Sequence, residues 1–489
     1  MTLGIADEKA GSIPWRASLP WLVGAFIYVL ILLFGRNLLG DPDSYWHVVV
    51  GQWIIDHRAF PETDTFSFTF AGSPWVAQEW LSQVLMAAAH GLGGWTGVAV
   101  LAAAAVALAF GLLTRSLSDD LSPRAVLVLL AGTMVLVVTP HLLARPHVLA
   151  WPVMIAWVVG LVRAVDRQKA PSYFLLPVMV VWANLHGSFT LGLLLVGACG
   201  LDATVLAEPS ERARTALIWL RFAVLAFVAA SITPYGPETI LATYRVLSLG
   251  SALSIIGEWQ PPDLSHIGSF EICLLLALGF ALWRGFVLRP ARIVILLGLI
   301  HLALSAARNG EILGLLAPLF VAAPIARQFA GLAAEPAEPQ GRSLRLIALS
   351  VLALLLPMTV LLANVETFVP RADQSPAGAV AALKAANVGR VFNDYNFGGY
   401  LIYAGIPTFI DGRTELYGAD FMLRYFRATQ LKDMPDFLTL LDEYRIDATL
   451  LAPSTPSAAL LDRLPGWKRL YADDTAVVHI RLPLRPTLD

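Results

Sequence analysis

The sequence predicts a mainly α-helical, polytopic membrane protein that ends in a small α/β domain. Of the 489 residues, 57% are hydrophobic and only 14% charged, and the mean hydropathy is +0.66, which excludes an ordinary soluble protein. Apolar runs near 20 residues, about what a hydrocarbon core of roughly 30 Å requires, recur as far as residue 365. Beyond Pro370 the pattern changes to short strand-like and helix-like segments. The formal charge of -2 and the pI near 6.5 supply no basic field, so nucleic acid is not an expected partner. Cys199 and Cys273 both lie inside apolar runs and read as core thiols, not as a disulfide or redox pair.

The first run, Leu19 to Leu39, follows Lys9 and Arg16. It is too long for a signal-peptide core, and Gly35-Arg36-Asn37 is no small-residue cleavage site, so it reads as the first span. Further runs lie near 81–114, 124–141, 148–165, 172–185, 188–206, 216–232, 270–284, 291–307, 312–326 and 345–364, about eleven spans in all. With the N-terminus inside, about sixteen Lys and Arg fall on the inner side against roughly five in the short outer loops, the positive-inside asymmetry. The expected division is a transmembrane part over 1–365, with a first outer loop at 40–80, and an outer soluble domain over 366–489. The stretch 336–342, Pro-Ala-Glu-Pro-Gln-Gly-Arg, reads as an inner linker. The Arg/Ala/Leu-rich, cysteine-poor composition is compatible with a bacterial inner membrane, the outer domain then being periplasmic.

Polar residues unusual for such a chain sort onto the outer side: Asp41 and Asp43, Arg145 and His147, Asn184 and His186, Glu258, then Arg308 and Asn309. Polar groups next to hydrocarbon are expensive, so their gathering at one face predicts a cavity for a polar substrate. In Gly40-Asp41-Pro42-Asp43-Ser44-Tyr45-Trp46-His47, Gly40 and Pro42 end the helix and leave two carboxylates on a turn, ahead of an amphipathic segment from Val48 to Asp56. Such a pair can converge on a metal or a sugar, or one acid can take a proton while the other stays ionised; the plain alternative is a solvated turn. Neither His147 nor His186 has zinc-ligand spacing to another His or Cys, so no zinc is expected.

These features resemble the GT-C superfamily of membrane glycosyltransferases, which carry acids in the first outer loop and use lipid-phosphate-linked sugars. Three stretches resemble in particular the catalytic subunit of oligosaccharyltransferases. Asp41-Pro42-Asp43-Ser44-Tyr45-Trp46-His47 is similar to that family's first-loop acidic motif. Ser254-Ile255-Ile256-Gly257-Glu258-Trp259-Gln260-Pro261 is similar to a later outer-loop motif whose Glu contacts the acceptor, and the resemblance nominates Glu258 for that role. Phe392-Asn393-Asp394-Tyr395-Asn396-Phe397-Gly398-Gly399-Tyr400, with Phe409-Ile410-Asp411-Gly412-Arg413, resembles the start of the family's outer domain. Two departures limit the carry-over. The family's second-loop Asp-x-Glu is absent, that loop reading His141-Leu142-Leu143-Ala144-Arg145-Pro146-His147, so no ligand set for a divalent cation is implied. The WWDYG tryptophans are replaced by Phe392 and Asn393, so recognition of a glycosylation peptide is not implied either.

The resemblance implies transfer of a sugar from a polyprenyl phosphate or diphosphate to an acceptor at the outer face. That chemistry needs a base and cations for the departing phosphate. Asp43, helped by Asp41, is the expected base; Arg145, His147 and Arg308 are the expected phosphate ligands, with snorkelling anchors and a simple turn as the alternatives. Asn184 and His186, on the short polar break Trp182-Ala183-Asn184-Leu185-His186-Gly187-Ser188, are candidate sugar contacts or structural polar groups. In the tail, 390–394, 408–411, 448–451 and 476–480 are expected strands, 398–403 a helix or turn, and 436–444 a helix, giving a partly parallel sheet. Asp394, Tyr395, Asp411 and Arg413, together with Glu415 and Tyr417, fall at strand ends and are expected to recognise the acceptor, the alternative being turn chemistry. The competing readings are a polar-lipid flippase, which would distribute polar residues through the membrane, and a non-catalytic scaffold, which would leave Asp41, Asp43 and Glu258 apart.

Overall fold

A chain surrounded by hydrocarbon has to satisfy its backbone polar groups internally, and long apolar runs do so as helices. The computed structural model describes residues 15–34, 37–335, 343–365 and 368–482, and each of the eleven runs falls on a helix. The helices of this part are α1 (Trp15–Phe34), α2 (Asp43–His57), α3 (Trp80–Leu117), α4 (Pro123–His141), α5 (Pro146–Asp166), α6 (Leu175–Leu185), α7 (Phe189–Leu206), α8 (Arg212–Ala230), α9 (Glu238–Ser248), α10 (Ser269–Arg284), α11 (Pro290–Ser305), α12 (Gly310–Gln328) and α13 (Ser343–Val365). Seven segments, on α1, α3, α5, α7, α8, α12 and α13, are long and apolar enough to cross a membrane; α4, α6 and α11 carry shorter apolar segments. The protein is a multi-pass membrane protein. Lys9 and the expected linker at 336–342 lie outside the described residues.

The run at 81–114 is not one straight rod. Gly93 and Gly94 leave helical geometry, Gly94 at φ 59°, a left-handed conformation that glycine adopts without a Cβ clash. Before this kink α3 packs so closely on α2 that a side chain at Gly51 would run into the backbone of Gln83; after it, the helix lies against α1, with Ala107 beside Gly24. At the end of the bundle opposite the polar loops, Arg292 of α11 is buried between Asp166 of α5 and Asp202 of α7 and donates to the Phe320 carbonyl of α12 at 2.9 Å.

The C-terminal α/β part adds α14 (Ala377–Ala385), α15 (Gly398–Tyr403), α16 (Thr414–Thr429), α17 (Met434–Glu443) and α18 (Pro456–Leu461) to one sheet. Its strands β1 (Val391–Asn393), β2 (Ala448–Leu451), β3 (Trp467–Ala472) and β4 (Val477–Arg481) run in the order β1-β2-β4-β3. β1 pairs parallel with β2, Val391 facing Ala448, whereas β2–β4 and β3–β4 are antiparallel. The sheet is thus partly parallel. β3 is an edge strand with a mostly exposed face and lacks the buried alternation that marks a strand in sequence.

The expected strand at 408–411 is corrected. Thr408 makes only an isolated bridge, to Ser67 in the loop between α2 and α3. The Thr408 N–H donates to the Phe66 carbonyl at 3.1 Å, and the Phe68 N–H donates to the Thr408 carbonyl at 3.0 Å. That loop therefore takes the hydrogen bonds a sheet neighbour would have taken, and Trp46, Trp75, Phe392, Phe409, Tyr417 and Tyr425 share one apolar core across the two parts.

Candidate active site

The turn after α1 is built by its own acid: the Asp43 N–H donates to Asp41 Oδ1 at 2.7 Å, and α2 starts at Asp43. Arg145 caps the N-terminus of α5 in an extended conformation, which turns its side chain toward this loop. Its Nη1 lies 3.2 Å from Asp41 Oδ2 and 2.6 Å from Glu258 Oε2, and its Nη2 pairs with Asp43 Oδ2. Glu258, on a short 3-10 turn, also accepts from Arg308 Nη1 at 2.7 Å, and the Arg308 guanidinium stacks 4.6 Å from the Trp259 ring. Five groups from four separate loops thus form one ionic cluster. A side chain at Gly412 would collide with the Asp43 carboxylate, so only glycine lets the C-terminal part close over this cluster.

The cluster faces a cavity of about 600 Å³, lined by Asp41, Asp43, Arg145, His147, His186, Glu258, Arg308 and Asn309 among the expected residues, and by Tyr395 from the C-terminal part. One flank is apolar: Leu194 of α7 and Leu247 of α9 line the cavity and are 72% and 59% exposed, so it opens on the apolar side of the bundle.

Burial lifts the Asp41 carboxyl to about 7; Arg145 opposes the rise and the neighbouring Asp43 and Glu258 add to it. Burial and the surrounding acids likewise raise Tyr395.

Further polar groups at the cavity escaped the sequence reading. Glu79, just before α3, lies 3.2 Å from His186 Nε2 and 3.9 Å from His47 Nε2. Burial first, with Glu415 and Asp43 adding and Arg145 and Arg308 opposing, lifts Glu79 to about 8, whereas burial with Arg308 and Arg145 depresses His186 to about 3. Both are neutral near pH 7. The Ser188 N–H donates to His186 Nδ1 at 3.1 Å, which assigns the ring proton to Nε2, facing Glu79. Glu311, in the first turn of α12, lies 3.4 Å from His147 Nε2. Both acids sit where an apolar run begins, a visible signal that is easily taken for ordinary helix-start chemistry. Trp46 Nε1, Gln83 Oε1 and Gln374 Oε1 also belong to cavity-lining residues and are buried without a hydrogen-bond partner among the described residues. Buried orphans of this kind are rare unless a ligand or water completes them.

Other expected residues stand elsewhere. Asn184 does not line the cavity; it accepts from Trp80 Nε1 at 2.6 Å and donates to the carbonyls of Val180 and Ile232, a structural junction. Asp394 caps the turn at 395–397 through the Asn396 N–H at 3.0 Å. Asp411 and Arg413 are completely buried behind the cavity wall: Arg413 Nε and Nη2 donate to Asp411 at 2.8 and 2.7 Å, and Nη1 donates to Asp64 at 2.6 Å. The polar atoms of Asn184, a candidate sugar contact, and of Asp394, Asp411 and Arg413, expected at the acceptor, are engaged by the protein in this structure. Glu415 does reach the cavity, where Trp75 Nε1 donates to it at 3.0 Å. Among the described residues no group of three or more His, Cys, Asp or Glu is arranged to hold a metal ion.

No family model matches the sequence, and no curated relative does. Solved structures do. The oligosaccharyltransferase of Archaeoglobus fulgidus in its apo form aligns at 11% identity over 89% of this chain and 69% of that chain, with a TM-score of 0.51. The archaeal oligosaccharyltransferase AglB from the same organism, in complex with an inhibitory peptide and a dolichol-phosphate, aligns at 10% identity over 90% and 69%, with a TM-score of 0.52. The chain shares its fold with these oligosaccharyltransferase structures. ArnT from Cupriavidus metallidurans bound to undecaprenyl phosphate aligns at 15% identity over 94% of this chain and 97% of that one, with a TM-score of 0.48. Within this fold, the ionic cluster sits between the first long loop, the start of α5, the 257–259 turn and the start of α12.

Proposed function

We propose that this protein is a membrane glycosyltransferase that moves a sugar from a polyprenyl phosphate, or diphosphate, to an acceptor hydroxyl at the outer face of a bacterial inner membrane. The observation that carries this reading is one cavity that joins a buried acid–arginine cluster to an apolar flank open to lipid. A lipid-linked sugar has that same division, a polar head on an apolar chain, and the GT-C neighbour AglB was solved with a dolichol-phosphate. The division of the chain that fits is a transmembrane part to residue 365, with its long first loop at 40–80, and a periplasmic α/β domain from 366 that closes over the cavity.

In the proposed step Asp43 takes the acceptor proton while the acceptor oxygen bonds to the anomeric carbon. The bond from that carbon to the phosphate oxygen breaks, and the polyprenyl phosphate leaves with the electron pair. Arg308, held at the cavity by Glu258 and Trp259, meets the charge that develops on the leaving group, with His147 on the neighbouring wall. Asp41 tunes Asp43 across their shared turn, Glu258 orients the acceptor, and the orphan atoms of Trp46, Gln83 and Gln374, with His186, meet sugar hydroxyls. Tyr395 closes the acceptor side.

The test is reconstituted protein incubated with a panel of sugar-labelled polyprenyl phosphates and diphosphates, scoring release of the lipid phosphate and cryo-electron microscopy density in the cavity. Release that disappears in Asp43→Asn is the expected result. No turnover and an empty cavity across the panel would remove the transferase reading.

A further inference from the structure

Three carboxylates from two loops far apart in sequence, Asp41, Asp43 and Glu258, all pair with one guanidinium, that of Arg145. Buried carboxylates brought together repel one another unless a cation stands between them, and oxygen donors converging in this way are what hard divalent cations take. Here the cation's place is filled by the chain itself. The Arg145 guanidinium reaches Asp41 and Glu258 through Nη1 and Asp43 through Nη2, so both terminal nitrogens are committed to the cluster. These contacts turn the guanidinium away from the role expected for it as a phosphate ligand.

We infer that Arg145 is a built-in cation that occupies the place of a divalent ion and positions the site's three acids. A guanidinium is planar, permanently charged and anchored by the N-terminus of α5, so it fixes the directions of the three carboxylates without an ion that could exchange. Its flat fork spaces the acids, two on Nη1 and one on Nη2. Arg145 and Arg308 together face these three acids. Arg308, which pairs with Glu258 alone among these acids, remains the cation for the leaving phosphate. The inference rests on the proposed transfer only for what the acids do; how they are held is independent of it.

Manganese binding tests it without any substrate. Electron paramagnetic resonance of Mn²⁺ titrated into detergent-purified wild-type protein is expected to show no ion whose binding depends on Glu258. Removing the guanidinium in Arg145→Ala is expected to open that place and create one Mn²⁺ site per chain, lost again in Arg145→Ala/Glu258→Gln, whereas Arg145→Lys, which keeps a cation there, gains none. Mn²⁺ bound by the wild type and weakened by Glu258→Gln would overturn the inference, and that arm holds even if Arg145→Ala fails to fold. A folded Arg145→Ala that binds no Mn²⁺ would overturn it as well. Failure of the transferase reading would leave these titrations unchanged, so the two are separable.

Discussion

Arg145 and Arg413 are both guanidiniums sunk among carboxylates, and their surroundings send the neighbouring acids in opposite directions. Burial alone pushes Asp411 up, but the charge and hydrogen bonds of Arg413, aided by Tyr417, hold it below the ordinary carboxylate range. Asp41, beside Arg145, is lifted to about 7 by burial, against Arg145 and with Asp43 and Glu258 adding. The difference lies in the donor supply. Asp411 accepts from Arg413, Tyr417 and Thr408, and nothing there faces open space. At Arg145 three acids share one guanidinium at the wall of a cavity of about 600 Å³. A satisfied buried pair fixes a loop; an under-satisfied one beside space for a ligand retains reactivity.

The sharpest way to separate the two is to remove one acid or base from each. Asp43→Asn is expected to reduce sugar transfer by about 10²–10⁴-fold, the usual range for a lost general base, with the helical circular dichroism kept. A transfer rate within experimental error of wild type would put Asp43 outside the chemistry. Arg413→Met should do the reverse, costing about 3–5 kcal/mol of stability because Asp411 and Asp64 are left buried without their partner. Chemical denaturation of the purified protein reads this, and an unchanged midpoint would mean that Arg413 does not hold the first loop to the C-terminal part.

How much of this contrast was legible beforehand follows from which forces act locally. Helices on the eleven apolar runs were readable because hydrocarbon imposes apolarity on each run separately, although only seven segments are long and apolar enough to cross a membrane. Asp41, Asp43, Arg145, Glu258 and Arg308 stood out because each interrupts apolar sequence on the same side. Their pairing was not readable: Arg145 meets Asp43 across 102 positions and Glu258 across 113, and no local pattern encodes that. Nor was the fate of Asp411 and Arg413. A polar loop bound for a ligand and one bound for its own first loop look alike until the partner, here Asp64 some 349 positions away, is in place. Thr408 to Asp411 has strand-like composition, but its pairing partner came from outside the sheet.

The pH response gives a smaller, finer test of the same comparison. With Asp41 at about 7, its ionised fraction grows as pH rises through neutrality, so the transfer rate is expected to climb between pH 6 and 8 and to level above. Asp41→Asn should flatten that climb, whereas a variant at Asp411, already ionised well below this window, should not change its shape. Identical profiles for wild type and Asp41→Asn would assign the titration to another group, Glu79 being one candidate by its value.

Glu79 itself is expected to show in stability. Its carboxyl is raised from 4.5 to about 8, so the folded state holds a proton that the unfolded chain has released. The stabilisation linked to that proton is complete below pH 4.5 and is lost as pH rises through about 8, a decline on the order of a few kcal/mol at most. His186 contributes the opposite limb: depressed to about 3, it makes acidification below 6.5 destabilising, because the unfolded imidazole takes a proton that the folded one refuses. Glu79→Gln keeps the shape and the neutral state and removes only the alkaline limb. Thermal midpoints of the two proteins should therefore run together at pH 4.5 and below, separate as pH rises to about 8 and stay apart above it, with the variant the more stable. Parallel curves over that range would mean that Glu79 ionises in the folded protein as freely as in water, and that the wall facing His186 is wetter than its burial implies.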